Sequence, residues 1–220
     1  MKKNLTELVF ILDRSGSMGG LESDTIGGYN SMLKKQKAEK GSVHVTTVLF
    51  DHEIEFLHDR LPIKAVEPLT EKDYSVRGTT SLLDAVGTTV ERLNKIQNAL
   101  PDDERAEKVI FVITTDGFEN SSRKYTYPKI KSLIESQQKE LNWEFIFLGA
   151  NMDAVSEANK IGISADRSAT FLNDSQGIAT NYAAVTNVIT GMRRAAKGTR
   201  VDASWKESIE EDVRKRSPKK

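Results

Sequence analysis

A chain of 220 residues is long enough for one domain with a sizeable core, while two full domains would be cramped. Its 32 lysines and arginines balance 32 aspartates and glutamates, so no global field draws it to nucleic acid or an anionic membrane, and neither is expected as a partner. Cysteine is absent, which excludes disulfides, thiolate zinc sites and cysteine nucleophiles.

The first apolar run, Leu8 to Leu12, follows Lys2 and Lys3 but is too short for a signal-peptide core or a membrane span, so a cytoplasmic protein is expected. With no export expected, the glycosylation-type triplets at Asn4, Asn120 and Asn173 read as chance. This run reads as a strand, and Leu21, Thr25, Tyr29, Met32 and Gln36 then fall on one helical stripe. Two further strand-like runs, Val43 to Phe50 and Ile54 to Leu57, are parted only by Asp51-His52-Glu53. That connection is too short for a parallel crossover, so the second run is expected as an antiparallel partner at an edge.

A long stripe at Leu82, Leu83, Val86, Val90, Leu93, Ile96 and Leu100 is stopped by Pro101. Next come a strand at Val109 to Thr114, a helix through Ile130, Leu133, Ile134, Gln137 and Leu141, and a strand at Phe145 to Leu148. A short helix over Asp153 to Lys160 precedes a weaker sixth strand near Thr170 to Leu172. Ile178, Tyr182, Val185, Ile189 and Met192 make the last long stripe. After Gly198 the composition turns highly charged, and Trp205, Ile209 and Val213 at a spacing of four followed by a basic end offer a docking helix as the alternative to the solvated, partly disordered tail expected over 198–220, beyond a domain of residues 1–197. Strands alternating with helices predict an α/β fold: a doubly wound, mostly parallel sheet with one antiparallel edge strand and helices on both faces.

In such a sheet, functional groups gather beyond the carboxyl ends of the strands. Asp13 closes the first strand and is followed by Ser15 and Ser17 among small residues, Asp116 closes the fourth, and Thr79 and Thr80 precede a helix starting near Ser81. Carboxylates and hydroxyls are hard donors, which suit Mg²⁺ or Mn²⁺ better than zinc or copper. Two formal negative charges only balance a dication, so at least one coordination position should remain open to water or to an outside acidic ligand. The plainer alternative is that Ser15 or Ser17 caps the first helix and Asp116-Gly117 makes a turn. Nearby, Arg14 is expected to be solvated and Glu119 to be a surface charge, and Asp51 is either a turn residue or a group behind the site. His44, His52 and His58 form no zinc pattern.

Asp13-Arg14-Ser15-Gly16-Ser17-Met18, then Gly78-Thr79-Thr80-Ser81-Leu82-Leu83-Asp84-Ala85, then Thr115-Asp116-Gly117-Phe118-Glu119-Asn120 resemble the metal-ion-dependent adhesion site of von Willebrand factor A domains, over roughly residues 5 to 195. The resemblance implies a six-stranded sheet with Mg²⁺ at its top, held directly or through water by Asp13, Ser15, Ser17, Thr80 and Asp116. It also implies a protein partner whose Glu or Asp supplies the last ligand. Thr79 stands where the family commonly has a second glycine, which makes it the alternative to Thr80. Haloacid-dehalogenase-like phosphatases also place an aspartate at the end of the first strand beside a metal, but they need a second carboxylate two residues on, where Ser15 stands here. No P-loop and no Gly-x-Ser-x-Gly elbow is present. A metal-dependent protein–protein interaction module, an adaptor or scaffold and not an enzyme, is therefore expected, with a Mg²⁺-dependent phosphoryl hydrolase or a purely structural metal site as the alternatives. The resemblance is to cytosolic members of bacterial or phage type, which often act with an ATPase or within a multi-protein stress or phage-associated system, so it suggests an ATPase-containing complex as one form of the partner.

Overall fold

The computed structural model describes residues 1–196, 198–199 and 201–217. Its six-stranded sheet is built from β1 (Lys2–Asp13), β2 (Ser42–Phe50), β3 (Ile54–Pro62), β4 (Ala106–Thr115), β5 (Glu144–Ala150) and β6 (Ser168–Phe171), in the order β3-β2-β1-β4-β5-β6. All neighbours run parallel except β2 and β3. That antiparallel pair follows from its short connection, where Asp51 Oδ1 accepts the Glu53 N–H at 2.7 Å and closes the turn.

Strand β1 lies at the centre and is buried on both faces, which is why it reads as an unbroken apolar run. Leu8, Phe10 and Leu12 face one core layer, shared with α1 (Glu22–Ala38) and α5 (Ser175–Arg194). Leu5, Val9 and Ile11 face the other, shared with α2 (Leu82–Ala99), α3 (Tyr127–Leu141) and α4 (Ala154–Lys160). The chain leaves β1 toward β2 on one side and returns to β4 on the other, so the strand order reverses at β1. The crevice opened by that reversal lies at the carboxyl ends of β1 and β4, where ligands of open α/β sheets bind.

The long helical stripes are where the spacing puts them, with Tyr29, Met32, Val86, Val90, Ile130, Ile134, Val185 and Ile189 all buried. The weak sixth strand also forms, two residues earlier at its start than the sequence implies. Among the described residues, no helix is long and apolar enough to cross a membrane.

The charged end is a correction to the expected solvated tail. Residues Glu207–Arg216 form a helix, α6, whose Ile209 is 1% exposed and belongs to the core layer of α1 and α5. Trp205 packs against the same layer and donates from Nε1 to the Asp166 carbonyl at 2.9 Å. Arg216 donates to Asp174 at 2.6 Å and also pairs with Asp212. Ile209 anchors the inner face, while on the solvent side Lys206–Glu210 and Glu211–Lys215 make the i,i+4 pairs that support an exposed helix. Pro218, Lys219 and Lys220, part of the expected basic end, lie outside the described residues.

Truncating a fully buried isoleucine leaves a cavity as well as losing transfer energy. Ile209→Ala should therefore lower the unfolding free energy by about 2–4 kcal/mol in urea denaturation. An unchanged midpoint would return this segment to solvent.

Candidate metal centre

Asp13 ends β1 with its side chain buried at 1% exposure. One carboxylate oxygen, Oδ1, accepts the Ser15 N–H at 2.7 Å, and Oδ2 accepts the hydroxyl of Thr115, the last residue of β4, at 2.6 Å. The Ser15 and Ser17 hydroxyls lie 3.2 Å apart. Ser17 Oγ donates to Asp116 Oδ1 at 2.6 Å, and Asn173, just past β6, donates to Asp116 Oδ2 at 3.1 Å. Asp13, Ser15, Ser17 and Asp116 thus form one chain of oxygen atoms across the top of β1 and β4.

Thr80 is buried and joined to the loop after Asp116 in both directions: its N–H donates to Asn120 Oδ1 at 2.9 Å, and the Asn120 N–H donates to its carbonyl at 3.1 Å. A side chain at Gly117 would place its Cβ 2.6 Å from Thr80 Oγ1 and 3.5 Å from Ser17 Oγ. Both hydroxyls therefore lie near the Gly117 turn, and the absence of a Cβ there leaves room for that of Thr80. Thr79 is exposed. The left-handed position in this loop is Gly78, at φ +69°, where a Cβ would also fall 2.1 Å from His52 Nδ1. Thr79 sits one step later with an ordinary φ, so a β-branched residue is accommodated there.

Burial pushes the Asp13 carboxyl up to about 6, against the lowering effect of hydrogen bonds from Thr115 and Ser15, and the neighbouring Asp116 charge adds to the rise. Burial raises Asp116 as well. The closest cation in sequence does not relieve them. Arg14 is a correction to the expected solvated side chain: it is 3% exposed, with Nε 3.0 Å from Asp51 Oδ2 and an Nη 2.6 Å from Glu55. Parallel pairing of β1 and β2 explains this, because Arg14 N donates to the Phe50 carbonyl and so lies beside Asp51. Its Nε and one Nη face Asp51 and Glu55, and the bonds that reach Asp13 and Asp116 come from neutral donors.

Glu119 is likewise no free surface charge. It accepts the N–H groups of Leu83, Ser121 and Ser122 at 2.8, 3.0 and 2.7 Å, and so holds the start of α2 against the β4–α3 loop. Asp51, His52 and Glu53 also gather potential ligand atoms. There, however, Arg14 and Arg77 already bind Asp51 at 3.0 and 2.8 Å, and Arg77 binds Glu53 at 2.8 Å.

Thr115 and Asn173 are the contacts to the two carboxylates that the sequence reading did not assign. Position was the available signal, since both stand at the carboxyl ends of strands feeding this edge. The donor set fits a hard divalent cation: every side-chain donor is oxygen, two are carboxylates, and hydroxyl protons stand against those carboxylates where a cation would draw the same lone pairs.

A folded-state carboxyl raised above its unfolded value of 3.8 is costly to ionise in the folded chain, so stability contributed by the protonated form is lost as pH rises from about 4 to about 6. In EDTA, wild type should lose about 3 kcal/mol relative to Asp13→Asn between about pH 4 and about pH 7, measured by urea denaturation. Parallel pH profiles would contradict this electrostatic account.

The family model for the von Willebrand factor type A domain matches residues 7–184. No curated protein matches the chain. Among solved structures, proximal thread matrix protein 1 from the mussel byssus superposes with a TM-score of 0.58 at 14% identity, covering 85% of this chain and 46% of that one. The chain therefore spans about half the length of the mussel protein, which has also been solved with a zinc-occupied MIDAS motif. The vWF domain of the type V pili tip protein Mfa5 from Porphyromonas gingivalis gives 0.57 at 13% identity, covering 88% of this chain and 98% of that one. Manganese-loaded TRAP protein of Plasmodium vivax gives 0.53 at 14% identity over 83% and 74%. At these identities the likeness is one of fold. The family match runs from β1 into α5 and so takes in all six strands of the sheet: the chain belongs to the von Willebrand factor type A domain family.

Proposed function

We propose that this domain is a divalent-metal-dependent protein–protein interaction module, in which Asp13, Ser15, Ser17, Thr80 and Asp116 hold Mg²⁺ or Mn²⁺, directly or through water, and a partner's Glu or Asp completes the shell. The observation that carries the reading is electrostatic: a buried and a half-buried carboxylate share a crevice with hydroxyls, and the adjacent guanidinium is paired with Asp51. The zinc-occupied MIDAS of the mussel protein and the manganese-loaded TRAP protein support a divalent ion in such a crevice. An all-oxygen donor set favours Mg²⁺ or Mn²⁺.

When bound, the ion would supply a Lewis-acidic position that takes a partner's carboxylate. The chain's own groups prepare that position. Thr115 and the Ser15 N–H fix the Asp13 carboxylate, while Ser17 and Asn173 fix Asp116. Charge-assisted contact in a partly buried site makes such a bridge strong and selective for an acid.

Both crevice carboxylates are used in holding the ion, and Ser15 stands where a phosphatase would carry its general acid, so binding is favoured over phosphoryl transfer. The setting we favour is an adaptor in the cytoplasm, within an ATPase-containing complex, with neither membrane nor nucleic acid as a partner.

A ligand that binds only the folded state raises its stability. Thermal melts should rise with Mg²⁺ or Mn²⁺ and return to the starting midpoint with EDTA. Thr80→Ala should reduce that rise more than Thr79→Ala. No rise with either ion would overturn the reading, and the reverse order of the two variants would move the ligand to Thr79.

A further inference from the structure

Holding an ion does not use every feature of the loop after Asp116. Phe118 stands at its tip with 60% of its surface exposed. Among the described residues, the other large apolar side chains so open are Met1 at the start of the chain and Leu61 near the end of β3, at 56% and 37%. Single exposed apolar residues are ordinary on protein surfaces. What distinguishes Phe118 is where it stands and how firmly its loop is held.

On one flank, the Gly117 N–H donates to Thr115 Oγ1 at 3.2 Å. On the other, Asn120 is paired with the Thr80 backbone through both its N–H and its Oδ1. Between them, the Glu119 carboxylate accepts three backbone N–H groups and the Ser122 hydroxyl. Every neighbour of Phe118 in this loop is bonded inward, so the ring is presented two residues from Asp116 by an ordered backbone. An aromatic held this way loses little freedom when a partner covers it, which is the character of a binding anchor.

Carboxylate capture alone discriminates poorly, because acidic side chains are common on protein surfaces. Selectivity requires a second contact. Arg14, in the loop beside Ser15, is buried and paired with Asp51 and Glu55, and Arg77 is paired with Asp51 and Glu53. Phe118 is the exposed large apolar side chain at this rim.

Resting on the metal-bridge reading above, we propose that Phe118 is the selectivity anchor of the site, and that the partner segment carries an aliphatic or aromatic residue next to its metal-seeking Glu or Asp. The acid reaches the crevice while its apolar neighbour covers the Phe118 ring. Phe118 is not among the proposed ligands and is 60% exposed, so its part in recognition is separable from metal binding.

The test titrates the Mg²⁺-loaded full chain, by calorimetry, with two blocked peptides, Gly-Leu-Glu-Leu-Gly and Gly-Ser-Glu-Ser-Gly. Wild type should bind the leucine peptide about tenfold more tightly than the serine peptide. Phe118→Ser should bring the two to within about twofold while leaving the Mg²⁺-dependent rise in melting temperature unchanged. A wild type without the preference, or a preference that survives Phe118→Ser, overturns the anchor while the metal-bridge reading stands. Failure of both peptides to bind at millimolar concentration also overturns it. Absence of the Mg²⁺-dependent rise overturns the metal-bridge reading and the anchor together.

Discussion

Burying Asp13 at the end of the central strand is the constraint around which the rest of the molecule is arranged. A carboxylate at 1% exposure, with Asp116 as its closest like charge, destabilises the fold unless something compensates it. Two donors, the Ser15 N–H and the Thr115 hydroxyl, compensate in part. Arginine could have completed the task, yet Arg14 is drawn across the β1–β2 ladder to Asp51 and Glu55. The crevice is left electrostatically unfinished, with its negative charge concentrated where small side chains leave room.

The fold supplies this arrangement through strand order. Because β1 has parallel neighbours on both sides, the loops that follow β1 and β4 converge over one crevice, and the loop leading into α2 closes it from the third side. Glycine at 117 lets the Thr80 hydroxyl approach, and Glu119 ties the start of α2 to the same loop. The connections run from backbone N–H groups to the Asn120 and Glu119 side chains and back from the Asn120 N–H to the Thr80 carbonyl, so the oxygen atoms are placed before any ligand arrives. Two consequences follow from the same tethering: a defined crevice for a cation, and a rim at which Phe118 is displayed.

Much of this was legible in the chain because its signals are local. The apolar runs of β1 and β4, the stripes of α2 and α5 and the three-residue connection between β2 and β3 each depend on residues close in sequence, as does the Asp13, Ser15, Ser17 cluster. What escaped depends on register or on distant pairing. Arg14 could be placed only by knowing that its N–H meets the Phe50 carbonyl. The contacts of Thr115 to Asp13 and of Asn173 to Asp116 span 102 and 57 residues. In α6, the spacing of Trp205, Ile209 and Val213 was visible, but the many charges argued against burial of Ile209, because composition averages over faces that the helix keeps apart.

The most direct measurement of the central claim is a Mn²⁺ titration followed by the electron paramagnetic resonance signal of the free ion, on wild type and on Asp116→Ala. Wild type should take up one Mn²⁺ per chain, Mg²⁺ should displace it, and the variant should take up none while keeping its fold. Equal uptake by both proteins would contradict that claim, and would direct attention to Asp51, His52 and Glu53 as the place where the ion sits.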